Sequence, residues 1–65
     1  MKYLAWYKIG FDFQTIAFDE KDNASAYAFA KSCATDLGTL ETIRRYANYE
    51  DKHAVDYVVY KRAPE

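Results

Sequence analysis

The sequence carries one amphipathic helix, set between two stretches dense in β-favouring residues. Ala26, Phe29, Ala30, Cys33 and Leu37 recur at helical spacing over residues 24 to 37 and form one apolar stripe. Ser25, Lys31, Ser32, Thr35 and Asp36 fall largely on the other side. Asp22 or Asn23 can cap the start, since either side-chain oxygen can accept from an orphan N–H. Gly38 is expected to close the helix in the left-handed conformation. The stripe is rich in alanine, and small residues let a helix lie close on a sheet.

Before the helix, residues 3 to 18 are dense in Tyr, Trp, Phe and Ile. Gly10 with Asp12 is the only plausible turn, so a hairpin with strands near 3–9 and 13–18 is expected. One long strand bulged at Gly10 is the alternative. After the helix, residues 40–49 and 54–62 read as a second strand pair, turning at Glu50, Asp51, Lys52 and His53, and Pro64 ends the last strand. The order is β-β-α-β-β. The expected architecture is a small α+β domain over residues 1–65, an antiparallel sheet with one helix packed on one face.

A single helix covers only one face of a four-stranded sheet, yet alternation places large apolar groups on both. In the first strand Tyr3, Ala5, Tyr7 and Ile9 oppose Leu4 and Trp6. In the second, Phe13 and Ala17 oppose Ile16 and Phe18. In the last, Val55, Tyr57 and Val59 oppose Ala54, Val58 and Tyr60. The uncovered face would then exceed the roughly 300–600 Å² patch usual for soluble monomers. Covering three or four such side chains, at ~1.5–3 kcal/mol each, rivals the whole stability of a small domain. A partner on this face is therefore expected, with Trp6, Tyr46 and Tyr60 as anchors and Arg44 and Arg62 beside them.

Length sharpens that expectation. A chain of 65 residues buries only about 60% of its unfolded surface and usually needs a staple. Cys33 is the only cysteine and His53 the only histidine, which excludes an internal disulfide and leaves too few ligands for a structural zinc. Association is the staple that remains. With 51% hydrophobic and 18% aromatic residues the chain is too apolar for disorder. Lys8 interrupts the N-terminal apolar run too early for a signal peptide, and nothing approaches a membrane span. A lone cysteine suits a reducing compartment, so a cytoplasmic protein is expected. Met1, the short length and the charged tail read as a complete small gene product.

Residues able to do chemistry have plainer explanations. His53 reads as an exposed turn residue without a neighbouring nucleophile, and Cys33 as a small hydrophobe on the helix stripe. Asp19, Glu20 and Asp22 precede a helix, where carboxylates ordinarily cap it and meet its dipole; Asp12 can join them in space. Pairing the last two strands about residue 51 makes paired numbers sum to roughly 102–103. That sets Arg44 opposite Val58 or Val59, near Asp56, and Glu41 near Lys61 or Arg62. No phosphate loop, metal-ligand spacing or nucleophile motif is present. No enzyme, cofactor or metal is expected.

The leading functional reading is a non-enzymatic protein–protein interaction module, a stoichiometric inhibitor or adaptor. It would dock an exposed aromatic sheet face or an edge strand on a partner or on itself as a homodimer. In general style the chain resembles small accessory proteins of bacteria and their phages, many of which bind a larger host protein and block a surface. The alternative is a single-stranded RNA or DNA binder, stacking bases on Trp6, Tyr46 and Tyr60 beside Arg44 and Arg62. A net charge of −1 and the lack of an RNP-type motif place that reading second.

Overall fold

A computed structural model describes residues 1–46 and 55–63, with the backbone alone for 55–57. The elements are β1 (Lys2–Ile9), β2 (Asp12–Asp19), α1 (Asn23–Leu37), β3 (Thr39–Tyr46) and β4 (Val55–Lys61). The β-β-α-β-β order and the single helix are as the residue pattern predicts. Residues 47–49, the turn with Asp51, Lys52 and His53, Ala54 and Pro64 lie outside the described residues.

Gly10 and Phe11 form the two-residue loop between Ile9 and Asp12, which settles the choice between hairpin and bulged strand. Gly10 has φ 61° while Phe11 keeps a negative φ, the pattern of a type II′ turn, which suits the right-handed twist of paired strands. The four strands form one antiparallel sheet in the order β2-β1-β3-β4. β1 is therefore central, and α1 carries the chain across it from β2 to β3.

Asp22 is the N-cap: its carboxylate accepts from the Ser25 N–H at 2.7 Å. That contact holds its pKa below the ordinary value. Gly38 ends the helix by donating its N–H to Ala34 O at 3.0 Å. Its φ is positive, at 109°, but its ψ of −158° lies outside the left-handed helical region expected for it. The chain must turn straight from helix into β3 here, which takes a near-extended ψ that the left-handed region does not supply.

The core lies between α1 and the sheet. Tyr3, Ala5 and Tyr7 of β1 point towards the helix and are fully buried, as are Ala26, Ala30 and Ile43, with Leu40 nearly so. Burying Tyr3, Tyr7 and Ile43 contributes on the order of 1.5–3 kcal/mol each. The two alanines bring the helix backbone so close that Tyr7 Oη donates to Ala30 O at 2.5 Å, and Tyr3 Oη donates to Asn23 Oδ1 at 2.8 Å. Burial first, and the neighbouring Cys33 second, push the Tyr7 hydroxyl pKa up to about 12. Cys33 itself is half-buried against this core.

Alternation fails at the bulges. Trp6 pairs with Thr42 but Tyr7 with Leu40, so Glu41 is extra; Ile43 pairs with Tyr60 but Arg44 with Val58, so Val59 is extra. Each extra residue shifts the rest of its strand to the other face. Tyr60 therefore lies with Ile43 on the helix side, against simple alternation, which puts it on the same face as Val58. Its ring packs on Tyr27 with centroids 5.1 Å apart.

Candidate functional site

The sheet face away from α1 is the larger candidate surface. The registers place Lys2, Leu4, Trp6 and Lys8 of β1 there, with Phe13, Thr15, Ala17 and Asp19 of β2 on one side and Thr42, Arg44 and Tyr46 of β3 on the other; Val58 and Lys61 follow on β4. At its centre Arg44 holds its guanidinium 5.3 Å from the centroid of the half-buried Trp6 ring. Leu4 is half-buried beside them, while Phe13 is 63% and Val58 48% exposed at the two sides. Lys8 lies over the Phe13 ring at 5.9 Å, and Lys2 pairs with Asp19 at 2.9 Å.

This surface carries less apolar area than alternation predicts, because the bulge turns Tyr60 under the helix and Tyr46 is buried. The big tyrosines of β1 turn under the helix, and the apolar groups left outside are interleaved with Lys, Arg and Thr. Among the described residues, the charged side chains on the face are Lys2, Lys8, Arg44 and Lys61 against Asp19. The described residues of this face thus carry a local excess of basic groups, in a chain whose net charge is −1.

The five predicted binding residues do not share a surface. Trp6 and Arg44 meet on the open face. Tyr46 lies on that face by register but is only 7% exposed, so its ring is not available to a partner. Tyr60 and Arg62 are on the other side, along a groove of about 410 Å³ between α1 and the β3–β4 end of the sheet, with Tyr27, Lys31, Gly38 and Leu40. Arg62 Nε donates to Glu41 Oε2 at 2.8 Å, the ion pair that the strand register foretells, and the contact lowers the Glu41 pKa. Lys31 Nζ donates to Tyr27 Oη at 3.0 Å across the groove rim.

The residues singled out for chemistry are dispersed. Asp22 caps the helix and Asp19 meets Lys2. Asp12 stands at the far end of β2 from Asp19. Among the described residues no three His, Cys, Asp or Glu side chains come together as metal ligands, and no helix is long and apolar enough to cross a membrane.

A third feature, the β1–β2 hairpin and its outer edge, holds none of the predicted binding residues except Trp6. Phe11 at the turn is fully exposed, with Ile9 and Phe13 flanking it at 49% and 63%. The aromatic density of residues 3 to 18 signalled strands, and the available clue was that β2 has no Lys, Arg, Pro or Gly within it. Comparison with protein-family profiles, curated proteins and solved structures finds no match for the chain.

Proposed function

We propose that this chain is a non-enzymatic interaction module that docks on a protein partner through the open face of its sheet, with Trp6 and Arg44 at the centre of contact. The observation behind this reading is the Arg44–Trp6 pair itself. Two residue types that dominate binding energy at interfaces are stacked on the central strands of a face that its own helix leaves uncovered. Phe13 and Val58 extend the apolar area, and the surrounding lysines suit a partner with acidic residues at its rim. Such a protein acts stoichiometrically, as an inhibitor or adaptor. The unpaired Cys33 suits a reducing compartment, and the cytoplasm is the one this reading takes.

The test is affinity capture with the tagged full chain, run beside Trp6→Ala, Arg44→Glu and, on the exposed outer side of the helix, Ser32→Ala. A partner retained by the wild type and Ser32→Ala but lost by both face variants supports the reading, provided that far-UV dichroism is unchanged. Equal retention by all four overturns it.

The excess of Lys and Arg on the same face favours a second reading, in which Trp6 and Phe13 stack single-stranded bases beside Arg44, Lys8 and Lys61. Binding to mixed oligonucleotides that weakens as salt rises supports it; no binding at low salt removes it.

A further inference from the structure

We infer that β2 is a self-pairing edge, and that two copies of this chain join their β2 strands antiparallel into one continuous eight-stranded sheet.

The sheet has two edges, β2 and β4, and they differ. β4 is broken by register shifts at both Ile43/Arg44 and Arg45/Tyr46, and Lys61 ends it. Bulges and edge lysines are the usual devices that blunt an edge against further pairing. β2 has neither: its eight residues pair with β1 without a shift, and its only charges are the terminal Asp12 and Asp19.

The direction of its backbone groups follows from the ladder. Met1 and Glu20 exchange both of their bonds, N–H to O at 2.9 and 3.1 Å. Hydrogen-bonded and non-bonded pairs alternate in an antiparallel ladder. The bonded pairs are therefore Tyr3–Phe18, Ala5–Ile16, Tyr7–Gln14 and Ile9–Asp12. The N–H and C=O groups of Phe13, Thr15 and Ala17 all point away from β1, towards the open edge. A strand in this state is a template for another strand.

Three observations select a second copy as the occupant. The outward groups are self-complementary: with Thr15 opposite Thr15 of the second copy, Phe13 faces Ala17, Asp12 faces Phe18, and no carboxylate stands directly opposite another. The net charge of −1 offers little repulsion to self-association. The third is an apolar shoulder. The helix packs over β1, β3 and β4, leaving β2 at its flank. Ile16 and Phe18 are half-buried there, and Phe29, whose ring centroid lies 4.8 Å from that of Phe18, is 39% exposed. A two-fold axis normal to the sheet puts both helices on the same side and sets the two Ile16 side chains diagonally beside the axis, with Phe18 over Asp12 of the second copy. This inference differs from the Trp6–Arg44 reading in what it uses: the outward backbone groups of β2, whose residues Phe13, Thr15 and Ala17 also border the open face.

Analytical ultracentrifugation of the full chain from micromolar to millimolar concentration tests it. The wild type is expected to dimerise. Thr15→Pro removes an outward N–H that β1 does not use, a substitution that edge strands tolerate. It should weaken dimerisation roughly a hundredfold while leaving the fold intact, since one lost bond recurs on each side of the two-fold axis. Ala17→Lys, at an exposed edge position, should have the same effect and decides the matter if Thr15→Pro fails to fold. Ser32→Ala, on the exposed outer side of the helix, should leave the mass unchanged. A wild type that is monomeric throughout overturns the inference, and so does a dimer that survives a folded edge variant.

Discussion

Gly38 is pressed against the carbonyl oxygen of Lys8, so that any Cβ at this position would collide with it and meet Ile9 Cβ at 3.0 Å. The helix exit and the end of the central strand are thus in backbone contact. With φ 109° and ψ −158°, Gly38 also occupies a region essentially closed to other residues. Gly38→Ala should therefore cost about 2–4 kcal/mol, from strain and steric displacement together. Urea denaturation measures it. Gly10→Ala is the comparison: nothing lies within 4 Å of its added Cβ, so only the positive φ is penalised and the loss should be smaller.

Tyr7 should make the domain sensitive to alkali. Its folded pKa of about 12 lies above the ordinary tyrosine value of 10.0, so the fold favours the protonated hydroxyl. That contribution is complete below pH 10, where both states are protonated, and is lost as pH rises to about 12, because the unfolded chain ionises first. At ~1.4 kcal/mol per pH unit, roughly 2–3 kcal/mol disappears across this window. Tyr7→Phe should cost about 0.5–1.5 kcal/mol at neutral pH through the lost bond to Ala30 O, and should flatten the decline above pH 10. Stability measured against pH for both proteins separates the two effects.

Among the described residues, Asp22 and Glu41 should contribute to acid sensitivity. Ser25 holds the Asp22 pKa down and Arg62 that of Glu41. A depressed folded pKa gives stability that is complete above the ordinary carboxylate range and is lost as pH falls through that range to the lowered values. Asp22→Asn keeps a good capping residue without the charge, and Glu41→Gln removes the ion pair. The double variant should show a shallower fall in urea midpoint on acidification than the wild type.

The closeness of helix and sheet rests on Ala26 and Ala30, both fully buried. Ala30→Leu should lift the helix from Tyr7 and cost about 1–3 kcal/mol despite leucine's good helix propensity. The same change at Ala28, which is exposed, should be nearly neutral. Thermal denaturation of the pair distinguishes packing from propensity.

Local chemistry was legible in the residues alone. The helix stripe with Asp22 before it and Gly38 after it bounded α1, because capping and periodicity act over a few residues. The β3–β4 register was legible as well: Arg44 does stand opposite Val58, and Glu41 does meet Arg62. Single-residue strand inserts were not. The extra Val59 sends Tyr60 under the helix, and the bulge at Glu41 separates Leu40 from Thr42, although nothing in Val59 or Glu41 as residue types requires a bulge. Bulge placement depends on how β1, β3 and β4 fit together in space. The strand order, with β1 central and β2 at an edge, is equally non-local, since it depends on α1 carrying the chain over β1. Tertiary packing alone therefore decided that Trp6 meets Arg44 on the open face, that Tyr46 is buried, and that β2 presents its backbone to solvent.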